Sequence, residues 1–479
     1  MTISIWRYSH LLLALVSSVF IIIASVTGAI IAFEPISETL NPYKIEGVEQ
    51  VYLKQTVAAL KQNYDEVIEL KTDYNQFVSA QVITKGGDFL SGYIHPLTGA
   101  YLGPEIQKKP LFKFATNLHR SLFLKKTGRI IIGVTSFLLL LISITGFLLI
   151  IRRQGSLKNV FSKIVYENFF QYFHVIVGRF SFVPILIITL TGVFLSLFRF
   201  DIFPIEKELV ELVEFKNSEK IKLEEFVIFK HTKLLDVTLL TFPFSESIED
   251  NFTLLLKDRR LLINQFSGDI LKEKEIGLSQ LFKTLSINLH TGKGSIIWSL
   301  ILAIASINIL FFIYSGFSMT LKRRTNKLQN KYKANNSKYV ILVGSENGNT
   351  MTYANTVYNF LITKGETVYI TELNNYSVFR KCEHIIILTS TYGKGEAPIN
   401  GNNFIKLLKS VNQSQEINYS VVGFGSAKYP DFCKFAIDIT KTIKQLNMKP
   451  FIQPFYINNK SNIVFIEWCR LWSDKAKFS

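Results

Sequence analysis

The sequence predicts a multi-domain membrane protein: a four-helix transmembrane bundle with two small α+β lobes outside the bilayer, followed by a C-terminal α/β doubly wound parallel sheet. Three observations lead to this fold class. The 479-residue chain contains four long apolar segments, and the part that contains them repeats internally. Residues 338–479 instead alternate strand-like and helix-like segments, which is typical of a parallel sheet covered by helices.

The composition excludes a disordered chain and an ordinary soluble enzyme. Hydrophobic residues make up 48% of the chain and charged residues only 19%. The 54 Lys and Arg residues exceed the 37 Asp and Glu residues, which gives a net charge of +17. Part of this excess lies beside the apolar segments, where anionic lipid head groups are the expected partners, so we expect no nucleic-acid binding.

Each of the four apolar segments is long enough to cross a bilayer, which takes about 20 helical residues. We predict spans at about 11–33, 130–151, 176–198 and 296–320. The first segment has the position of a signal peptide. Its apolar run, however, exceeds the roughly 7–15 residues of a signal-peptide core and no clear cleavage site follows it, so we interpret it as an uncleaved span.

Basic residues beside the spans predict that both termini face the cytoplasm. Arg152-Arg153 follow the second span, and Lys322-Arg323-Arg324 follow the fourth. All three cysteines lie in the C-terminal region, which agrees with a reducing compartment. We therefore expect two lobes, at about 34–127 and 199–293, on the side of the membrane opposite the cytoplasm.

The N-terminal part contains a diverged repeat in which a histidine precedes each span and a Thr-Gly or Ser-Gly pair lies within it. The spacing from histidine to hydroxyl residue is 17 residues in the first and third spans, and 26 and 25 in the second and fourth. In chain order the sets are His10 with Thr27-Gly28, His119 with Thr145-Gly146, His174 with Thr191-Gly192, and His290 with Ser315-Gly316. Between them, Pro96–Ala100 and Gln265–Asp269 each resemble a turn whose glycine takes a positive φ.

The predicted orientation places two histidines near each face of the membrane. One interpretation is that His10 with His174, near the cytoplasmic face, and His119 with His290, near the periplasmic face, each supply the axial ligands of a b-type haem. Another metal is an alternative, and so are structural histidines inherited from a duplication. We favour haem, because duplication alone does not explain why both spans of each half carry a histidine.

Several short motifs resemble the PepSY-associated transmembrane family over roughly residues 1–325. They are Trp6-Arg7-x-x-His10, Leu118-His119-Arg120 and the Pro-x-Thr-Gly turn. Within that family the chain is similar to the inner-membrane reductases of ferric siderophores. The resemblance implies two repeats, 1–153 and 154–324, each with a PepSY-like periplasmic lobe.

A polar linker at 325–337 precedes the C-terminal part. The strands predicted there lie at 339–343, 367–371, 384–389, 419–424 and 451–457, with helices between them. Five strands with intervening helices indicate a doubly wound parallel sheet, whose ligand is expected at the carboxyl ends of the strands.

Three loops at those ends carry residues suited to a flavin. The first offers hydroxyls and backbone N–H groups at a helix N-terminus, which suit a phosphate monoester, and the other two each offer glycines and a tyrosine able to stack on a flat ring. The candidate ligands are Ser345, Glu346, Asn347, Gly348, Asn349 and Thr350 in the first loop, Ser390, Thr391, Tyr392 and Gly393 in the second, and Gly425, Ser426, Tyr429 and Phe432 in the third.

Ser390-Thr391-Tyr392-Gly393 and Tyr429-Pro-Asp-Phe432-Cys433 resemble flavodoxins, closest to the FMN domains of diflavin reductases. The resemblance covers 338–479 and implies strand order 2-1-3-4-5, with the FMN phosphate on 345–350 and the ring beside Tyr392 and Tyr429. The alternative is a flavodoxin-like fold that has lost its flavin. Because no Gly-x-Gly-x-x-Gly fingerprint is present, we expect a separate NAD(P)H-dependent flavin reductase, unless the reading frame is truncated.

Together these features predict a membrane-bound flavohaem oxidoreductase. Electrons would pass from FMN through two haems to a periplasmic acceptor, which the family resemblance suggests is a ferric siderophore, without any catalytic acid–base residue. The first alternative keeps this topology but reduces a periplasmic protein, a disulfide carrier or a quinone. The second is a non-enzymatic scaffold or regulator whose flavodoxin domain senses redox state.

Overall fold

The computed structural model describes residues 3–164, 166, 169–200, 221–325, 330–345, 348–392, 395–428, 431–459 and 461–478. They form two compact units, each assembled from separate stretches of chain. The first unit contains residues 1–18, 141–182 and 310–479, and the second contains residues 19–140 and 183–309.

The first repeat begins and ends with a long apolar helix and has four strands between them. In chain order its elements are α1 (Ile3–Ile31), α2 (Glu34–Thr39), α3 (Leu53–Asn63), β1 (Glu66–Thr72), β2 (Val78–Ile83), β3 (Phe89–Ile94), β4 (Tyr101–Gly103), α4 (Pro110–Ser121) and α5 (Lys125–Gln154).

The second repeat follows the same general order. Its elements are α6 (Phe169–Arg199), α7 (Val227–His231), β5 (Val237–Thr241), β6 (Asn251–Leu256), β7 (Arg259–Asn264), β8 (Ile270–Glu275), α8 (Leu278–Thr291) and α9 (Ile296–Thr325).

Four helices in the described part of the chain are long and apolar enough to cross a membrane. They cover Ile5–Thr39, Lys125–Gln154, Phe169–Arg199 and Ile296–Leu321. Each of them contains one of the predicted spans.

The strands of both repeats form one eight-stranded antiparallel sheet in the second unit, in the order β4-β3-β2-β1-β5-β6-β7-β8. The halves join where β1 pairs with β5, with Leu70 opposite Leu240. Both leucines are fully buried in a core that also contains Leu53 of α3 and Phe229 of α7. The two predicted lobes are thus joined edge to edge, and the pairing removes one unprotected edge from each.

The two predicted glycine turns are present at matching places in the two halves. Gly99, between β3 and β4, has φ +67°, and Gly268, between β7 and β8, has φ +71°. A Cβ at Gly99 would lie 2.7 Å from the carbonyl oxygen of Ala59, and one at Gly268 would lie 2.5 Å from the Phe226 ring. Only glycine fits both the backbone conformation and the space, so the turns are equivalent in structure as well as in sequence.

The C-terminal module is a parallel sheet with helices between its strands. Its elements are β9 (Tyr339–Gly344), α10 (Asn349–Thr363), β10 (Val368–Glu372), β11 (His384–Ser390), α11 (Phe404–Ser410), β12 (Asn418–Gly425), α12 (Lys434–Gln445), β13 (Lys449–Pro450), β14 (Phe455–Asn458) and α13 (Asn462–Lys475).

The strand order is β10-β9-β11-β12, with β13 and β14 both pairing with β12, which confirms the predicted order 2-1-3-4-5. The fifth strand differs from the single strand expected at 451–457, because it consists of two short pieces. Pro454, which has no backbone N–H to donate, lies in the gap between them.

The segment expected to be a linker is partly attached to the module. The side-chain amide of Asn330 accepts from the N–H of Ile370 (2.7 Å) and donates to the carbonyl of the same residue (2.9 Å). The N–H of Lys331 donates to the Tyr358 hydroxyl (2.9 Å). Asn330 therefore satisfies backbone groups on the edge strand β10, whereas residues 326–329 lie outside the described residues.

Candidate functional site

The structure brings the four span-associated histidines together as two pairs. In the first unit, the rings of His10 (α1) and His174 (α6) have centroids 6.5 Å apart and planes at 77°. In the second unit, the rings of His119 (α4) and His290 (α8) have centroids 6.1 Å apart and planes at 58°. Each pair takes one histidine from each repeat, as the sequence interpretation required.

Two of these histidines lie in short helices that precede the spans, rather than at the heads of the spans themselves. His119 lies in α4, and Leu122 and Phe123 then take positive φ angles of 50° and 59° before α5 begins. His290 lies in α8, which ends at Gly292 with φ +78°. Sequence spacing alone did not predict these breaks.

The Nδ1 atom of every histidine contacts a hydroxyl on another helix of the same repeat. The pairs are His10 with Thr145 (3.1 Å), His119 with Thr27 (3.0 Å), His174 with Ser315 (2.7 Å) and His290 with Thr191 (3.0 Å). The hydroxyl residues are those of the repeated Thr-Gly and Ser-Gly pairs. We predicted the pairs from their position within each span, but not that they contact a histidine from a different helix.

The hydroxyl contacts indicate which ring nitrogen carries the proton. Each of them also donates to the carbonyl four residues earlier in its own helix, at 2.6–2.8 Å. Because the hydroxyl hydrogen is used there, its oxygen is left to accept from the imidazole, so Nδ1 is the donor. The Nε2 atom then keeps the lone pair that a metal requires, an arrangement common for metal-binding histidines.

The glycine after each hydroxyl residue leaves space for an imidazole in three of the four sets. A Cβ would lie 3.0 Å from His10 Cε1 at Gly146, 3.1 Å from His290 Cε1 at Gly192, and 3.4 Å from His119 Cε1 at Gly28. Gly316 differs, since a Cβ there would meet nothing within 4 Å.

Within the described residues, no group of three or more His, Cys, Asp and Glu side chains is placed to hold a metal ion. The histidines therefore offer two protein ligands at each place, which is fewer than the four typical of a structural zinc site.

In the C-terminal module, the three predicted loops meet at one edge of the sheet. Thr389 pairs with Gly344, and Ser390 pairs with Phe424, so β9, β11 and β12 end side by side. The Ser390 hydroxyl donates to the carbonyl of Gly344 (3.2 Å), and the N–H of Thr391 donates to the carbonyl of Phe424 (3.1 Å). These bonds connect all three loops.

The first loop has the features of a phosphate site. Gly348, with φ +75°, precedes Asn349, where α10 begins. Ser345 and Thr350 are buried, and their hydroxyl oxygens have no hydrogen-bond partner in the described part of the chain. Two buried hydroxyls without a partner among the described residues, beside a helix N-terminus, fit the phosphate of FMN.

The second and third loops are held in tight backbone conformations. Tyr392 pairs with Glu396 through both of its backbone groups, with Gly395 at φ +82° between them. A Cβ at Gly425 would lie 2.9 Å from the backbone nitrogen of Cys433, so only glycine permits that close approach. Ser426 and Phe432 lie in the third loop as predicted, whereas Glu346, Asn347, Gly393 and Tyr429 lie outside the described residues.

Two asparagines hold the loops in place, and the sequence analysis did not select them. The Asn400 side chain accepts from the N–H of Ser345 (2.9 Å) and donates to the carbonyl of Val343 (3.2 Å). The Asn458 side chain accepts from the N–H of Ala427 (2.9 Å). Asn400 lies 55 residues from Ser345 in the chain, so no local pattern connects the two.

The buried cysteines of the module are unreactive thiols. Cys382 and Cys433 have no exposed surface, and burial raises the pKa of each to about 12. Both thiols therefore remain protonated at neutral pH, whereas redox chemistry would require the nucleophilic thiolate.

The fold and the three loops define a multi-pass membrane protein that carries a flavin-dependent electron-transfer module. Residues 7–323 match the family described as PepSY-associated TM region, and residues 341–462 match the family described as Flavodoxin. The chain belongs to the PepSY-associated TM family, with a flavodoxin domain joined to its C-terminal side.

Curated relatives resemble the C-terminal module. The chain is 37% identical over 99 residues to the inducible nitric oxide synthase of Carassius auratus, a match that covers 20% of this chain and 59% of that protein. It is 30% identical over 139 residues to the NADPH sulfite reductase flavoprotein alpha-component of Mannheimia succiniciproducens, covering 28% and 23% respectively. The chain therefore spans less than two-thirds of the length of these relatives.

Solved flavodoxins resemble the same region. The flavodoxin of Streptococcus pneumonia TIGR4 is 25% identical with a TM-score of 0.27, and the match covers 29% of this chain and 97% of that one. Oxidised Flavodoxin 1 from Bacillus cereus is 14% identical, also with a TM-score of 0.27, and the match covers 30% and 99%.

Proposed function

We propose that this protein transfers electrons across the inner membrane, from FMN on the cytoplasmic side through two b-type haems to an acceptor in the periplasm. The observation that carries the proposal is the pairing of histidines, one pair in each unit, with one ring nitrogen free on every imidazole. The flavin and the haems supply the redox chemistry, and the protein supplies ligands, position and a low local dielectric.

The spacing of each pair suits two axial ligands of one iron. Protein imidazole–metal bonds are about 2.0 Å long and the ligating nitrogen lies about 1.2 Å from its ring centroid, so imidazoles on opposite sides of one metal have centroids about 6.3 Å apart. The measured separations are 6.5 Å for His10–His174 and 6.1 Å for His119–His290.

Two protein ligands are enough for haem, because the porphyrin provides the other four nitrogens. Histidines beside membrane-spanning helices are themselves candidates for a functional role, since ionisable side chains are costly at that depth. The His10–His174 pair belongs to the same compact unit as the flavodoxin domain, which supports its assignment to the cytoplasmic half.

A ferric siderophore is the acceptor that we propose, by similarity to reductases of this family. Reduction to Fe(II) weakens binding by hard oxygen ligands and so releases the metal. The electron donor that we propose is a separate NAD(P)H-dependent flavin reductase.

The first experiment measures FMN and pyridine haemochrome on one sample of the purified full-length chain. We expect one FMN and two haems b per chain. Detergent-solubilised protein is then given NADPH, a flavin reductase and a hydroxamate ferric siderophore, and formation of Fe(II) is followed with a chromogenic chelator.

Protein that contains FMN but no haem would refute the transmembrane transfer and favour a redox-sensing scaffold. Two haems that are reduced by NADPH but not reoxidised by the siderophore would identify a different acceptor, such as a periplasmic protein, a disulfide carrier or a quinone.

A further inference from the structure

We propose that Ser315 is the positioning residue on which the cytoplasmic-side haem depends, because within the described residues its hydroxyl is the sole hydrogen-bond acceptor for the Nδ1 of His174. This inference rests on the proposed haem ligation. It goes further by stating that the four hydroxyl–imidazole contacts are unequal, and that one ligand of one haem has a single support.

Three of the four imidazoles have two acceptors for the Nδ1 proton. Besides the hydroxyl, a backbone carbonyl lies within reach in each case. These carbonyls are Ile142 for His10 (3.1 Å), Ala24 for His119 (3.0 Å) and Ile188 for His290 (3.0 Å). If the hydroxyl is removed, the carbonyl still accepts from Nδ1 and keeps Nε2 free for the metal.

His174 is the exception. In the described part of the chain, the Ser315 hydroxyl at 2.7 Å is the sole hydrogen-bond acceptor near its Nδ1. The Ser315 hydroxyl hydrogen is directed to the carbonyl of Phe311 (2.7 Å), so the oxygen faces the imidazole as an acceptor.

The packing of His174 also differs from that of its partner. The Phe312 ring lies beside it, with centroids 5.0 Å apart. The position of Gly316 provides no close support, since a Cβ there would contact nothing within 4 Å, whereas a Cβ at Gly146 would lie 3.0 Å from His10. Within the described residues, one hydrogen bond therefore sets the tautomer of His174, and this bond together with the Phe312 ring positions the imidazole.

Loss of the Ser315–His174 bond has two consequences that loss of the other three hydroxyl–imidazole bonds does not have. Without an acceptor, the Nδ1 hydrogen is left unpaired and the ring is free to present the wrong nitrogen, and such losses typically reduce metal affinity 10–100-fold. An imidazole whose N–H has no acceptor is also a weaker electron donor, so ferric iron is stabilised less and the midpoint potential of that haem rises.

The test uses the purified full-length protein and the variants Ser315→Ala, Thr145→Ala and Ser315→Thr. Haem transfer to excess apomyoglobin and an optical redox titration are measured for each. For Ser315→Ala we expect one of the two haems to have a 10–100-fold lower affinity and a higher midpoint potential. Thr145→Ala retains the Ile142 carbonyl and should change less than threefold, and Ser315→Thr should restore wild-type behaviour.

Thr320→Ala is the matched control, because Thr320 lies on the same helix and its hydroxyl makes the same kind of bond, to the carbonyl of Gly316 (2.8 Å). FMN content and the second haem report that each variant is folded. If the wild type holds two haems but Ser315→Ala retains both with unchanged potentials, the role of Ser315 is refuted and the proposed function stands. Equal losses in Ser315→Ala and Thr145→Ala also refute it, and a wild type without haem refutes both proposals.

Discussion

The membrane helices and the flavodoxin domain position their candidate cofactor ligands in different ways. In the helices, one imidazole from each repeat meets another, and a hydroxyl on a second helix of the same repeat contacts each ring. In the flavodoxin domain, three loops at one sheet edge share the task through many backbone groups. We therefore expect that loss of one imidazole removes a cofactor from the helices, whereas loss of one loop side chain only weakens a cofactor in the domain.

The strongest test of this comparison is His174→Ala. We expect it to remove about half of the haem and to stop electron flow to the acceptor, because one iron loses an axial ligand. Pyridine haemochrome content and the rate of Fe(II) formation measure the two effects.

His95→Ala is the matched control, since within the described residues the His95 ring accepts solely from backbone N–H groups of its own turn, at 3.3 Å. Full haem content and activity in His174→Ala would disprove the ligand assignment.

A smaller effect is expected at the glycines behind the rings. Gly146→Ala places a methyl group 3.0 Å from His10 Cε1, so the imidazole must move by a few tenths of an ångström, whereas Gly316→Ala has open space. We expect a several-fold faster loss of one haem from Gly146→Ala and wild-type retention by Gly316→Ala. Haem release to apomyoglobin distinguishes them, and equal rates would show that the glycine does not make room for the ring.

In the flavodoxin domain, Ser345→Ala should weaken FMN without abolishing it. A hydrogen bond to a charged group contributes about 1.5–3 kcal/mol, so we expect a loss of roughly tenfold or more in FMN affinity with haem content unchanged. Flavin fluorescence titration measures the effect. The control is Thr356→Ala, because Thr356 lies on the exposed side of α10, the helix whose N-terminus forms part of this site. This variant should bind FMN as the wild type does. Complete loss of FMN from Ser345→Ala would contradict the idea of shared ligation.

The smallest effect is expected from Asn330→Ala, which removes both bonds to Ile370. We expect about 1 kcal/mol of local destabilisation at the edge strand, seen as faster hydrogen exchange of the Ile370 amide. FMN and haem content should not change. An unchanged exchange rate would mean that residues around Asn330 do not stabilise the domain.

Local patterns in the sequence predicted the spans and the parallel strands because apolar length and alternation reflect how each segment is buried. The histidine pairs were also predictable, since the repeat places His10 and His174 at equal distances from equivalent residues. The contact of Thr27 with His119 was not predictable, because it joins residues 92 positions apart on different helices. The same holds for Asn400 and for the pairing of β1 with β5, which depend on tertiary packing rather than on periodicity.

The edge-to-edge join of β1 and β5 suggests how such a molecule arose. A single repeat would expose the edge of β1 and would present unpartnered imidazoles at both ends of its helices. Two identical copies related by a twofold axis would cover the edge of β1 and pair the imidazoles at once. A twofold interface does this because it joins the same surface of both copies. The present chain joins the two halves within one polypeptide, so each half is free to diverge, and the fourth span carries Ser315 where the other three carry a threonine.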